Sequence, residues 1–192
     1  MGVVRLRERR SNHHKVRWTV AVLSFAALPA LAQDPRYTRK LAPYVASPAH
    51  VVDRMLDLAK VRPGETVYDL GCGDGRILIA AVKNYKARAV GVEISSKLVA
   101  QANERIQKEG IGAEARVIEG DLLATDLSGA DVVTIYLATS LNEELRPRLE
   151  KFLKPGARVV SHDYAVPGWK PNKVEADGNH RIYLYEIPPA KQ

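Results

Sequence analysis

The sequence predicts a three-layer α/β domain, a sheet with helices packed on its faces. Three observations predict it. Short apolar runs of strand length alternate with stretches of helical spacing from residue 48 onward. The run 67–70 leads into a turn with glycine at positions 71, 73 and 75, and helical spacing begins at Arg76. That order of strand, glycine turn and helix start builds a nucleotide-type site, because glycine lets a ligand approach closely and the helix start offers unpaired N–H groups. Acids then stand beside the turn or at the ends of successive strands, at Asp69, Glu93 and Asp121.

The chain has 192 residues, 46% apolar and 27% charged, which suits one domain with a full core. Residues 1–32 read as an export signal or an N-terminal anchor. A basic start precedes the apolar run 18–32, and Ala30 and Ala32 have the spacing of a cleavage site before Gln33. This leader predicts an exported or membrane-anchored protein, with any membrane association running through residues 18–32 and the cytoplasmic side still open. It also carries most of the net charge of +7. Its six basic residues and one acid, taken from totals of 29 and 22, leave 23 basic against 21 acidic residues in the body. A nearly neutral body gives no electrostatic reason to expect a nucleic-acid partner. The single cysteine, Cys72, excludes an internal disulfide and any cysteine-rich metal site, and no metal is expected.

The elements follow in order. Residues 33–47 are an irregular lead-in. Val51, Val52, Met55, Leu56 and Ala59 share a helical face, with Ser47 as the expected N-cap and Pro48 in the first turn. Pro63 and Gly64 turn the chain into the strand at 67–70, and the glycine turn and second helix follow. A strand at 89–92 ends on Glu93, a helix spans 96–109 and stops at Gly110, and a strand covers 115–119. A fourth strand is expected at 131–137, a helix at 141–153 before Pro155 and Gly156, a fifth strand at 157–161, and a closing strand at 180–187. Five β-α alternations and a terminal strand pair give the three-layer sheet.

The glycine turn also discriminates among ligands. A dinucleotide fingerprint places its third glycine where Arg76 stands, and no phosphate-cradling P-loop pattern occurs. Asp69 and Asp74 would repel a pyrophosphate but could receive a cationic ligand bearing an ammonium group, such as S-adenosylmethionine. Glu93 lies 93 − 71 = 22 residues past the first glycine, where an acid can accept both ribose hydroxyls. Asp121 could receive an adenine amino group.

The segments D-L-G-C-G-D-G-R-I (69–77), P-Y-V-A-S-P (43–48), L-K-P-G-A-R-V-V-S-H (153–162) and G-W-K-P (168–171), with Glu93 and E-G-D at 119–121, resemble class I methyltransferases. More narrowly, they resemble the small broad-specificity archaeal and mitochondrial protein-lysine methyltransferases. The resemblance implies a Rossmann-like sheet of about seven strands, mostly parallel with an antiparallel C-terminal strand, over 48–192. It implies S-adenosylmethionine held at its methionine end by Asp69, Gly71, Cys72, Gly73, Asp74 and Gly75. Glu93 would hold the ribose, Asp121 the adenine, and Ile94 and Leu122 the apolar walls. Tyr44 would close over the cofactor with the lead-in, where Ser47 stands in place of an expected threonine. Tyr44, Tyr136 and Trp169 are the candidate catalytic residues, Tyr136 presenting substrate and Trp169 lining a lysine channel or packing in the core. A monomer acting on protein lysine is the expectation; a small-molecule acceptor or a non-catalytic binding role are the alternatives. His162 and Asp163 follow the fifth strand, and a histidine there more often satisfies a local hydrogen bond than it acts as a base.

Overall fold

The computed structural model describes residues 44–191. The leader, the run 18–32 and the lead-in as far as residue 43 lie outside the described residues. Among those described, no helix is long and apolar enough to cross a membrane.

Helix α1 (Ala49–Leu58) precedes β1 (Thr66–Leu70), α2 (Arg76–Tyr85), β2 (Arg88–Glu93), α3 (Ser96–Lys108) and β3 (Ala115–Glu119). Then come β4 (Val132–Ile135), α4 (Thr139–Phe152), β5 (Arg158–His162), β6 (Trp169–Lys170), β7 (Lys173–Asp177), β8 (His180–Glu186) and β9 (Ala190–Lys191). The main sheet runs β3-β2-β1-β4-β5-β8-β7, and β6 pairs separately with β9. The pairings among β1 to β5 are parallel, whereas β8 pairs antiparallel with both β5 and β7. The expected seven-strand mixed sheet is therefore present. Strand order reverses between β1 and β4, and a doubly wound sheet opens its binding crevice at the carboxyl ends of the strands at such a switch point.

Side-chain alternation divides the core. Val67, Ala89, Val132 and Val160 face one side of the sheet, where residues of α1 and α2 and Ile106 of α3 pack on them. Tyr68, Leu70, Val90, Val133 and Val159 face the other, against Leu145 and Leu149 of α4, Trp169 and Tyr185. Arg158 fastens one end of the sheet. Its guanidinium donates to Glu65 Oε1 (2.6 Å) and to the Ala59 carbonyl (2.8 Å), joining β5 to the entry of β1 and the exit of α1.

The structure departs from the sequence reading at three places. Among the described residues only β1, β2 and β4 lead into helices, fewer than the five β-α alternations expected, and residues 120–131 run from β3 to β4 as turns and irregular chain. Helix α1 takes Pro48, not Ser47, as its N-cap, and no side chain caps it. Ser47 is buried, and its hydroxyl is paired with His162 Nδ1 at 2.9 Å instead. The third departure is Trp169. It is 0% exposed, its indole N–H donates to Glu150 (2.8 Å), and its ring meets Tyr185 edge-on at 5.3 Å. It is core packing, so the lysine-channel assignment is withdrawn.

Gly91, in the middle of β2, shows how tightly the sheet and the glycine turn are pressed together. A Cβ there would stand 2.5 Å from Cys72 Sγ and 2.7 Å from Leu78 Cδ1. Gly91→Ala is expected to cost about 1–3 kcal/mol by overpacking. The measurement is thermal unfolding, where the midpoint should fall by about 2–10 °C.

Candidate active site

The cleft opens beyond the carboxyl ends of β1 and β4. It is lined by Tyr44, Ser47, Asp69, Cys72, Asp74 and Tyr136, together with neighbouring residues of the lead-in and the glycine turn. The backbone explains its shape. The N–H groups of Gly71 and Cys72 both donate to the Val92 carbonyl (2.8 and 3.1 Å), which turns the chain back over β2. Gly73 has φ +54°, and a Cβ there would run into the Tyr44 ring. The absence of a side chain is what lets Tyr44 lie on the turn.

Four acids surround this turn, and each is satisfied differently. Glu93 is buried at the end of β2 and accepts three backbone N–H groups, from Gly73 (3.0 Å), Ile94 (2.9 Å) and Ser95 (2.9 Å). A carboxylate can accept about four hydrogen bonds, so capacity remains for a ligand hydroxyl. Asp74 is bound by the Arg76 guanidinium through both oxygens (2.9 and 2.8 Å) and is ion-paired with Arg105. Burial pushes its pKa upward, but Arg76 and then Arg105 outweigh that effect and hold the carboxyl below its usual range. Arg76 also donates to the Ser47 carbonyl (2.7 Å), tying the lead-in to the turn. Asp121 accepts from the Leu123 N–H (2.8 Å) and stands half-buried after β3; Leu122 beside it and Ile94 beside Glu93 are also half-buried.

Asp69 is the exception. It is buried, and its side-chain partner is the Thr134 hydroxyl at 2.8 Å. Burial raises its pKa to about 7; the Thr134 hydrogen bond opposes that, while the charges of Glu93 and Asp74 add to it. A buried carboxyl with no cation beside it is the complement of a ligand that brings one. This carboxylate fits the ammonium end of S-adenosylmethionine, and Glu93 and Asp121 stand at or just past the ends of the neighbouring strands β2 and β3. Cys72 is buried against Gly91. Burial first, then the charges of Asp69 and Glu93, push its thiol well above the usual range, which makes it a space-filling wall and not a nucleophile.

The far side of the cleft is built by β4, β5 and β8. Tyr136 stacks on His162 with ring centroids 3.9 Å apart, and its hydroxyl donates to Asp163 Oδ2 (3.2 Å). His162 Nε2 lies 2.9 Å from His180 Nδ1, which in turn lies 3.1 Å from Asp163 Oδ2. The sequence reading found His162 and Asp163 but not His180, which arrives from β8 across an antiparallel pairing. The strand itself was legible; the pairing that brings its first residue to Asp163 was not. Among the described residues, His162, Asp163 and His180 are a group whose ligand-type atoms lie within 4.8 Å of one another, and here they bond to each other.

The ANTKMT methyltransferase domain family matches residues 69–173. A protein-lysine N-methyltransferase of Saccharolobus islandicus (strain REY15A) is 48% identical over 150 residues, 76% of this chain and 93% of that protein. The adenine nucleotide translocase lysine N-methyltransferase of Mus musculus is 36% identical, over 78% of this chain and 65% of its own length. Among solved structures, an RNA methyltransferase from Salinibacter ruber in complex with S-adenosyl-L-homocysteine superposes with a TM-score of 0.74 at 43% identity, covering 74% of this chain and 94% of that one.

The Asp69 environment has a measurable consequence. Its folded-state pKa lies above its unfolded one, so the folded protein binds this proton more tightly. The stabilising contribution is complete below about pH 4 and is lost as pH rises through about 7. Urea unfolding of wild type and Asp69→Asn should show wild type losing stability relative to the variant across that window. A cationic ligand group seated beside Asp69 also drives its proton off. Calorimetry of S-adenosylmethionine binding near pH 6, in buffers of different ionisation heat, should detect proton release from wild type and none from Asp69→Asn.

Proposed function

Because the chain belongs to the ANTKMT methyltransferase domain family, we propose that it transfers the methyl group of S-adenosylmethionine to the side-chain amine of protein lysine. The observation that carries the lysine assignment is the 48% identity to a protein-lysine N-methyltransferase across 93% of that protein. S-adenosylmethionine supplies a methyl group on a positively charged sulfur, ready for in-line displacement. The chain's own residues have little covalent work to do. They align the two reactants and exclude water, and such alignment alone can remove about 7–11 kcal/mol of a bimolecular barrier.

The cleft meets these needs. Asp69, Glu93 and the glycine turn fix the cofactor from below, and Tyr44 on Gly73 closes it from above. Tyr136 borders the same cleft, stacked on His162 and aligned with Tyr164 at 6.2 Å, so an aromatic surface faces the incoming chain. The larger obstacle is the acceptor's charge. Lysine has a reference pKa of about 10.4, so a neutral amine at pH 7 costs about 4.6 kcal/mol, and an aromatic, poorly hydrated approach lowers that cost.

The Salinibacter ruber relative is named for RNA, which makes RNA the competing acceptor. A body with 23 basic and 21 acidic residues lacks the charge excess that a polyanion demands. The segment after β4 reads Y-L-A-T and lacks the N/D-P-P-Y pattern of enzymes acting on nucleobase or glutamine amides. The basic, apolar leader extends the proposal to place: the enzyme works at or beyond a membrane, on lysines presented there, as a monomer.

The test uses the full chain, methyl-labelled S-adenosylmethionine and a cell lysate, with Asp69→Ala as control. Label is expected on lysine Nζ, mapped by mass spectrometry, and should drop by at least about 100-fold in the variant, whose buried cation partner is gone. Label confined to RNA or to small molecules overturns the lysine assignment.

A further inference from the structure

We propose that Tyr136, Asp163 and His180 form the route by which the acceptor amine loses its proton, with Tyr136 touching the nitrogen and the other two carrying the proton to water. This rests on the amine-methylation reading above and supplies the step that reading leaves open, since a protonated lysine has no lone pair with which to attack.

The four acids around the glycine turn are unsuited to that step. Glu93 holds three backbone N–H groups on the ribose side, Asp74 is paired with two arginines, Asp69 serves the cofactor's ammonium, and Asp121 stands beyond β3. Asp163, by contrast, reaches Tyr136, which lines the cleft. Its Oδ2 meets the Tyr136 hydroxyl (3.2 Å), His180 Nδ1 (3.1 Å) and His162 Nε2 (3.3 Å), while its Oδ1 is pinned by the Arg181 N–H (2.9 Å). Burial pushes Asp163 upward, but the Arg181 N–H and then His180 outweigh it, so the group is ionised and ready to accept. The backbone is committed to this placement. Asp163 has φ +60°, a left-handed conformation that costs a non-glycine residue about 1–2 kcal/mol and is found where function holds it. Asn142, buried in α4, donates to the Tyr164 carbonyl (3.1 Å) and holds the loop in that shape.

The flanking contacts place His180 at the end of the route. His162 Nδ1 is paired with the Ser47 hydroxyl (2.9 Å), and its Nε2 lies 2.9 Å from His180 Nδ1. Burial depresses His162 to about 4, so it stays neutral and orients its neighbour without taking the proton itself. His180 is partly exposed and faces Tyr136's partner Asp163 just after β5, His50 of α1 (ring centroids 6.4 Å apart) and Asp177 of β7, its register partner. In the step, the ammonium N–H breaks and its proton passes to Tyr136 Oη as the tyrosine's own proton moves to Asp163 Oδ2. Asp163 returns to carboxylate by passing it to Nδ1 of His180, which enters the step as its Nε2–H tautomer; the ring then sheds its Nε2 proton to water and regains that tautomer through solvent. The freed nitrogen lone pair then forms the N–C bond while the S–C bond breaks, its electron pair staying on sulfur. A sulfonium and a neutral amine become a thioether and a methylated ammonium, and charge balances.

The experiment measures kcat on a lysine acceptor from pH 6.5 to 10 for wild type, Asp163→Asn, His180→Gln and Tyr136→Phe, with melting curves and S-adenosylmethionine affinity as folding controls. Asparagine tolerates φ > 0 and keeps an acceptor for the Arg181 N–H, so D163N should fold. Each variant should lose about 100-fold at pH 7, the usual worth of positioned acid–base help. The deficit should shrink to within about three-fold near pH 10, where a sizeable share of free lysine is already neutral. A deficit that is the same at every pH, or wild-type kcat at pH 7, overturns the relay and leaves lysine methylation standing. A wild-type enzyme that labels no amine at all overturns both.

Discussion

One carboxylate holds the two loops that make this site. Glu93 ends β2 and accepts N–H groups from Gly73, one loop away, and from Ile94 and Ser95 in its own loop. The root of the glycine turn is held on β2 by the Val92 carbonyl, and Arg105 of α3 is paired with Asp74 within it. The Glu93 side chain adds the tie at Gly73, the residue on which Tyr44 lies, and it is buried while doing so. Ligand hydroxyls arriving at Glu93 meet an acceptor already oriented by three donors.

The electrostatics of the cleft are divided by side. On the cofactor side, the acids are neutralised by guanidinium groups or backbone dipoles, except Asp69, which awaits a cation. On the acceptor side, an aspartate, two histidines and a tyrosine share a small set of protons among themselves. Keeping these two groups apart matters, because one must attract a permanent positive charge and the other must strip a removable one. The β4 strand separates them: Thr134 faces Asp69, and Tyr136, two residues on, reaches Asp163.

Much of this was legible in the chain itself. Glycine turns and strand-end acids are local signals, since the spacing between Gly71 and Glu93 is set by one helix and two short strands. That is why Asp69, Asp74, Glu93 and Asp121 could be placed without coordinates. Trp169 and His180 were not legible, for a different reason. Whether an aromatic residue after β5 turns into the core or out toward substrate depends on Tyr185 and Glu150, which come from β8 and α4. The role of His180 depends on an antiparallel pairing with β5 that local pattern does not encode. The shortfall in β-α alternations belongs with these, since residues 120–131 pass from β3 to β4 without a helix. Ser47 was placed in the right segment with the wrong partner: a serine before a proline looks like a cap until a buried histidine competes for its hydroxyl.

The strap that begins at Tyr44 is fastened at two points. Its Ser47 carbonyl is gripped by Arg76 on the cofactor side, and its Ser47 hydroxyl is bonded to His162 on the acceptor side. A strap fastened that way makes one serine answerable to both halves of the cleft: its carbonyl is tied to the arginine that holds Asp74, and its hydroxyl to the histidine that lies against Tyr136.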